Sequence, residues 1–312
     1  MVELYTDDRM LDHVPNPGHP EKPERLRTIL RELKRSGMLD RFPSHPARLA
    51  TDAELLRVHT PAHLADITRQ VAAGGGQVEE DTWISPLSEV AARLAAGAAV
   101  DAVDSVIAGK TRRALCLVRP PGHHALPDRP MGFCLYGNVA VAAADAVHRL
   151  GLDRVLIVDW DVHHGNGTQD IFYEDPRVAF FSIHRHPFYP GTGLGDETGT
   201  ARGLGTTKNV PLRAGIERRH YLDAFRTQLQ TFADAMKPQL VLISAGFDAH
   251  AEDPVGNLGL ETEDFAVMTR DVIEVANQHA GGRLVSVLEG GYNVSRLAGC
   301  VMAHLEGLGD HA

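Results

Sequence analysis

The 312 residues are 43% hydrophobic and 23% charged, a chain long enough to bury a large core and too apolar to be intrinsically disordered. A formal net charge of −10 argues against a nucleic-acid partner, because affinity for phosphates rests on clustered Lys and Arg. Cys116, Cys134 and Cys300 are far apart, with no Cys-x-x-Cys pair, so reduced thiols are expected and a zinc knuckle or disulfide framework is excluded.

The chain begins Met-Val-Glu-Leu-Tyr-Thr-Asp-Asp-Arg, without the basic region and apolar stretch of a secretory leader. It contains no run of about 18 apolar residues, so a cytoplasmic protein with no membrane partner is expected. No linker, charge block or fixed repeat divides it, and residues 1–312 read as one domain.

In chain order, apolar or β-branched runs at 114–118, 154–159, 178–183, 240–244 and 284–289 read as buried strands. Ala- and Leu-rich stretches such as 139–150, 220–236 and 262–279 read as helices between them. This alternation predicts an α/β fold with a parallel sheet covered on both faces, in which ligands bind beyond the carboxyl ends of the strands. Polar chemistry sits at those ends. The segments are Arg119-Pro-Pro-Gly-His123-His124, Asp159-Trp-Asp161-Val-His163-His164-Gly-Asn166-Gly, Ala245-Gly-Phe-Asp248-Ala-His250 and Glu289-Gly-Gly-Tyr292.

In an extended segment, residues two apart face the same way, so Asp161 and His163 point together. Carboxylate oxygen with imidazole nitrogen suits zinc, or iron(II) in a similar site. Asp248 can complete three protein ligands and leave a position open, as catalytic metals require. An Asp-x-His alone is usually a capped turn. Here Gly165-Asn166-Gly167 follows with room for tight turns, and Asp159 stands two residues earlier as a partner that can orient the ligands. His123 and His124 are candidates for general base and acid, or else polar loop residues. The Tyr292 hydroxyl could donate to a developing oxyanion, or its ring could simply pack.

Read together, the segments 119–134, 158–172, 242–254 and 288–292 resemble the zinc-dependent histone deacetylases, especially class II members and their bacterial relatives, the acetylpolyamine amidohydrolases among them. His19-Pro-Glu-Lys-Pro-Glu-Arg-Leu and the stretch 47–56 resemble the family's amino-terminal region, so the likeness spans about residues 5–305. The resemblance implies a single-domain arginase/deacetylase fold with a mainly parallel eight-stranded sheet flanked by helices. It carries zinc ligands onto Asp161, His163 and Asp248, the catalytic histidines onto His123 and His124, and the transition-state tyrosine onto Tyr292. It places Phe133, Phe188 and Tyr189 in the walls of an acyl-lysine tunnel, and Asp81 at its rim, where a helix cap is the competing role. It also associates Asp159, Asp161, His163 and Ser182 with a structural potassium ion. Asn166 follows the class II pattern in a place where class I has Asp, which makes the second catalytic histidine less basic.

The expected activity is zinc-dependent hydrolysis of an acetyl or short acyl amide on a cationic amine, an acetylated lysine side chain or, alternatively, an acetylated polyamine or small metabolite. A two-manganese ureohydrolase would need carboxylates where Gly165 and His250 stand. A non-catalytic acyl-lysine binder would have lost a ligand, histidine or tyrosine that this chain keeps.

Overall fold

A computed structural model describes residues 2–309. The strands are β1 (Val2–Thr6), β2 (Ser44–Pro46), β3 (Gly76–Gln77), β4 (Trp83–Ile84), β5 (Arg113–Cys116), β6 (Val155–Asp159), β7 (Val178–Arg185), β8 (Thr207–Leu212), β9 (Leu240–Ala245) and β10 (Leu284–Leu288). The helices are α1 (Glu24–Arg35), α2 (Met38–Arg41), α3 (Asp52–Leu55), α4 (Pro61–Ala72), α5 (Ser88–Ile107), α6 (Asn138–His148), α7 (Asn166–Phe172), α8 (Arg218–Met236), α9 (Thr262–His279) and α10 (Val294–Gly309).

Eight strands form one sheet in the order β2-β1-β5-β10-β9-β6-β7-β8, while β3 and β4 make a separate ribbon. Every neighbouring pair in the large sheet is parallel, so the architecture is the α/β fold expected. All residues of β5, β6, β9 and β10 are buried, which is why they read as unbroken apolar runs rather than alternating ones. Truncating a side chain such as Leu242 in such a layer typically costs about 2–5 kcal/mol.

Helices α5 and α6 pack together and onto the central strands, while α8, α9 and α10 form a second packed row joined by α1. Small residues let α5 lie close: a Cβ at Gly97 would fall 2.0 Å from the Arg48 carbonyl oxygen. Among the described residues no helix is long and apolar enough to cross a membrane. Cys116, Cys134 and Cys300 are free and buried.

Three strands of the large sheet lie outside the apolar runs of the sequence: β1, β2 and the far edge β8. β2 is three residues with exposed ends, and β8 mixes Lys, Asn and Pro into its run. Asp81 does not cap the helix that follows it, because α5 begins at Ser88 after Leu87.

The strand order assembles the polar segments. β5, β10, β9 and β6 are side by side, so the loops after them, distant in sequence, leave the sheet together.

Candidate active site

The loop after β6 bends at once instead of continuing extended, yet it brings the expected pair together. His163 Nδ1 lies 3.0 Å from Asp161 Oδ1 and 3.2 Å from Asp248 Oδ2. One ring nitrogen thus faces two carboxylate oxygens, and Asp248 Oδ2 is buried with no aligned hydrogen-bond partner. A single proton cannot satisfy that arrangement, whereas a divalent cation among the three atoms can. Burial and the Asp161 charge push the Asp248 carboxyl up to about 7, the repulsion that a cation would relieve. Among the described residues this is the one group of three such side chains whose ligand atoms lie within 4.8 Å of one another. The residues fit a metal ion.

The other oxygens of the cluster are oriented from the backbone. Asp161 Oδ2 accepts from the Gly290 amide at 2.9 Å, and Asp248 Oδ1 from the Val162 amide at 2.9 Å. A Cβ at Gly290 would fall 2.2 Å from Asp248 Oδ2 and 2.5 Å from Asp161 Oδ2. Gly290, in the Gly-Gly before Tyr292, therefore serves close approach to the carboxylates. Gly165 is small for the same reason, since a Cβ there would meet Asp159 Oδ2 at 2.2 Å.

The paired histidines are distinguished by their partners. His123 Nδ1 lies 3.0 Å from Asp159 Oδ2, and His124 Nδ1 lies 2.7 Å from Asn166 Oδ1. Burial alone would lower the His123 pKa, but the charges of Asp161 and Asp159 outweigh it and raise the value to about 10. His124 has no such carboxylate beside it, and burial with the charges of His123 and His163 holds its pKa well below the ordinary value.

Above the cluster is a cavity of about 220 Å³ lined by Asp81, His124, Gly132, Phe133, His163, Phe188, Tyr189, Val255 and Tyr292. The Phe188 ring stacks on His163 at 5.2 Å and 15°, and Tyr189 meets His124 edge-on at 5.2 Å. Phe133 packs edge-to-face on Tyr292 at 5.7 Å. It holds a left-handed backbone with φ of 68°, costing on the order of 1 kcal/mol for a side chain of this kind. Its amide is fastened to Thr82 Oγ1 at 3.0 Å. Asp81 stands at the cavity, its Oδ1 accepting from the Gly132 amide at 3.2 Å and the Thr82 hydroxyl at 2.9 Å. Ser182 pairs in register with Asp159 across β6 and β7, and its hydroxyl lies 2.9 Å from His184 Nδ1.

The histone deacetylase domain model matches residues 19–308. The chain belongs to the histone deacetylase family. It is 43% identical over 293 residues to a histone deacetylase-like amidohydrolase of Pseudomonas aeruginosa, covering 93% of this chain and 77% of that one. A probable deacetylase of Archaeoglobus fulgidus is 38% identical over 92% of this chain and 80% of its own. A crystal structure of the HDA15 HD domain superposes with a TM-score of 0.94 at 39% identity, covering 99% of this chain and 88% of that one.

As a deacetylase of this family the chain also holds buried structural charges inside its motif segments, with a role that residue spacing alone does not give. Glu289 is fully buried; its Oε2 accepts from the Gly122 amide at 2.6 Å and the His123 amide at 3.2 Å, and its Oε1 from Ser244 at 3.1 Å. Burial pushes the Glu289 carboxyl up to about 7. Arg25 donates to the Gly291 carbonyl at 2.6 Å and the Glu289 carbonyl at 2.5 Å, with its guanidinium 4.9 Å from the Tyr292 ring centroid. Buried Glu21 takes Arg119 at 2.7 and 2.9 Å and Arg25 at 3.2 Å. One sequence signal does point to this network. Arg25 shares a four-residue spacing with Ile29 and Leu33 on the buried stripe of α1, a place where a charge needs a partner.

Proposed function

We propose that this deacetylase hydrolyses the acetyl or short acyl amide of an acetylated lysine side chain, using one zinc ion held by Asp161, His163 and Asp248. Iron(II) is the alternative ion for the same donor set. The observation that carries the reading is the aromatic cavity that reaches His163 of the Asp-His-Asp cluster together with His124 and Tyr292. At about 220 Å³ it is smaller than the roughly 300–1,000 Å³ of ordinary ligand pockets, and it suits a slender aliphatic chain.

Bound there, zinc supplies a Lewis acid for the amide carbonyl and for water. The residues of the chain supply the rest. Asn166 Oδ1 takes the Nδ1 proton of His124, leaving Nε2 to accept a proton from water and return it to the departing amine. His123, held charged by Asp159 and Asp161, stabilises developing negative charge. Tyr292 keeps its hydroxyl proton, because burial raises its pKa well above the ordinary value, and donates to the carbonyl oxygen as charge develops. Its backbone amide is fixed by Asp253 Oδ2 at 2.7 Å. Phe133, Phe188 and Tyr189 enclose the acyl chain, and Asp81 receives the substrate amide hydrogen at the rim. The same reading includes a structural potassium ion, which Asp159, Asp161, Ser182 and the His163 backbone would hold.

A two-metal ureohydrolase is disfavoured. A Cβ at Gly165 would strike Asp159 Oδ2 at 2.2 Å, so a carboxylate has no room there, and His250 Nδ1 turns to the Glu252 amide at 3.1 Å. Relative kcat/KM on an acetyl-lysine peptide and an acetylated polyamine tests the substrate. Preference for the peptide is expected; a strong preference for the polyamine moves the assignment to the alternative.

A further inference from the structure

The loop after β7 carries Phe188 and Tyr189 through a stretch without regular secondary structure. Such a segment cannot hold two aromatic rings at fixed angles to His163 and His124 unless something outside it does. Its fastening lies at Thr192-Gly193, just beyond Tyr189. The Thr192 hydroxyl meets His164 Nδ1 at 2.7 Å, and the Gly193 carbonyl meets His184 Nε2 at 2.9 Å. Gly193 is buried against both rings; a Cβ there would fall 2.5 Å from His184 Nε2 and 2.6 Å from His164 Cγ.

Glu197 organises this contact. Its Oε1 accepts from the amides of Gly193 at 3.0 Å and Leu194 at 2.9 Å, and its Oε2 from Gln169 Nε2 at 2.7 Å. A carboxylate can only accept, so it obliges Gln169 to present its amide nitrogen here and its oxygen to the other side. That oxygen takes His164 Nε2 at 3.0 Å and Asn209 Nδ2 at 2.8 Å. With its proton committed to Nε2, His164 offers Nδ1 as the acceptor for the Thr192 hydroxyl. One carboxylate thus sets the direction of the bonds that run through Gln169 and His164 to Thr192.

We propose that Glu197 is a positioning residue for the tunnel wall formed by Phe188 and Tyr189, governing hold on the acyl chain and not the rate of amide cleavage. The inference rests on the proposed role of the cavity as an acyl-lysine tunnel. An amide in place of the carboxylate points a donor at the Gly193, Leu194 or Gln169 donors, so Glu197→Gln loosens the turn while keeping its shape. Thr192→Val removes the hydroxyl bonded to His164 at nearly constant volume.

The test uses the full-length, metal-loaded protein and both variants, with melting and metal content as controls. Two hydroxamates are titrated: acetohydroxamate, which occupies only the metal end, and a long-chain alkyl hydroxamate that fills the tunnel. Glu197→Gln is expected to weaken the long hydroxamate about tenfold while leaving acetohydroxamate within about twofold, and to raise KM for an acetyl-lysine peptide by a similar factor at nearly constant kcat. Thr192→Val is expected to act in the same sense. Unchanged long-chain affinity in both folded variants, or a fall in kcat at constant KM, overturns the positioning role. If the wild type turns over no acetylated amine, the proposed function fails, and the two hydroxamates still decide the role of Glu197.

Discussion

His124 gives its Nδ1 to the neutral amide oxygen of Asn166 at 2.7 Å, and this pairing separates it from His123, whose Nδ1 faces the carboxylate of Asp159 at 3.0 Å. In the proposed mechanism these adjacent residues with the same side chain take opposite tasks, His124 accepting a proton and His123 stabilising negative charge. The Asn166 partner has a direct consequence for pH. A carboxylate would favour the imidazolium form of His124 and raise its pKa. Because His124, as the proposed base, must be unprotonated to act, Asn166→Asp is expected to move the acid limb of the kcat/KM profile to higher pH. The check is that profile in both proteins; an unmoved or lowered limb means that His124 is not the base.

Ligands and proton carriers should separate in metal analysis. One divalent ion per chain is expected. His124→Ala should lower kcat by about 10²- to 10⁴-fold with the metal retained, while Asp248→Ala should lose the metal. A His124→Ala protein with an empty site contradicts this division.

Gly290 tests the geometry of the cluster without replacing a ligand. Its Cβ would lie 2.2 Å from Asp248 Oδ2 and 2.5 Å from Asp161 Oδ2, closer than any real contact, so the carboxylates must move apart. Gly290→Ala is expected to fold yet bind zinc at least about tenfold more weakly, an effect on the scale of losing a group that orients a metal ligand. Retention of wild-type affinity by competition with a chelator would show that the carboxylates are free to shift.

Much of this site was legible in sequence because its chemistry is local. Asp161 and His163 are two residues apart, His123 and His124 adjacent, and all follow strands whose apolar runs are unmistakable. What escaped needed the third dimension. β1 and β8 are short or mixed in polarity and become strands by pairing with β5 and β7. Glu289 reads as the end of an apolar run, yet its carboxylate braces the His123 backbone, which leaves the sheet from β5, the neighbour of β10. Gly290 suggests a turn until the two carboxylates beside it are seen. Glu197 lies in a loop with no pattern, and only its bonds reveal it.

Tyr292 decides most directly between a working deacetylase and an acyl-lysine binder. Its ring is buried against Phe133 and beneath Arg25, so Tyr292→Phe keeps the packing and removes only the hydroxyl. The hydroxyl gains value as the carbonyl oxygen gains charge, so its loss should fall on kcat more than on binding. The measurement is kcat of Tyr292→Phe on an acetyl-lysine peptide, with metal content and hydroxamate affinity determined alongside. A loss of about 10²- to 10³-fold in kcat, with metal and hydroxamate binding retained, is the expected result; near-normal kcat on an efficiently cleaved substrate contradicts it.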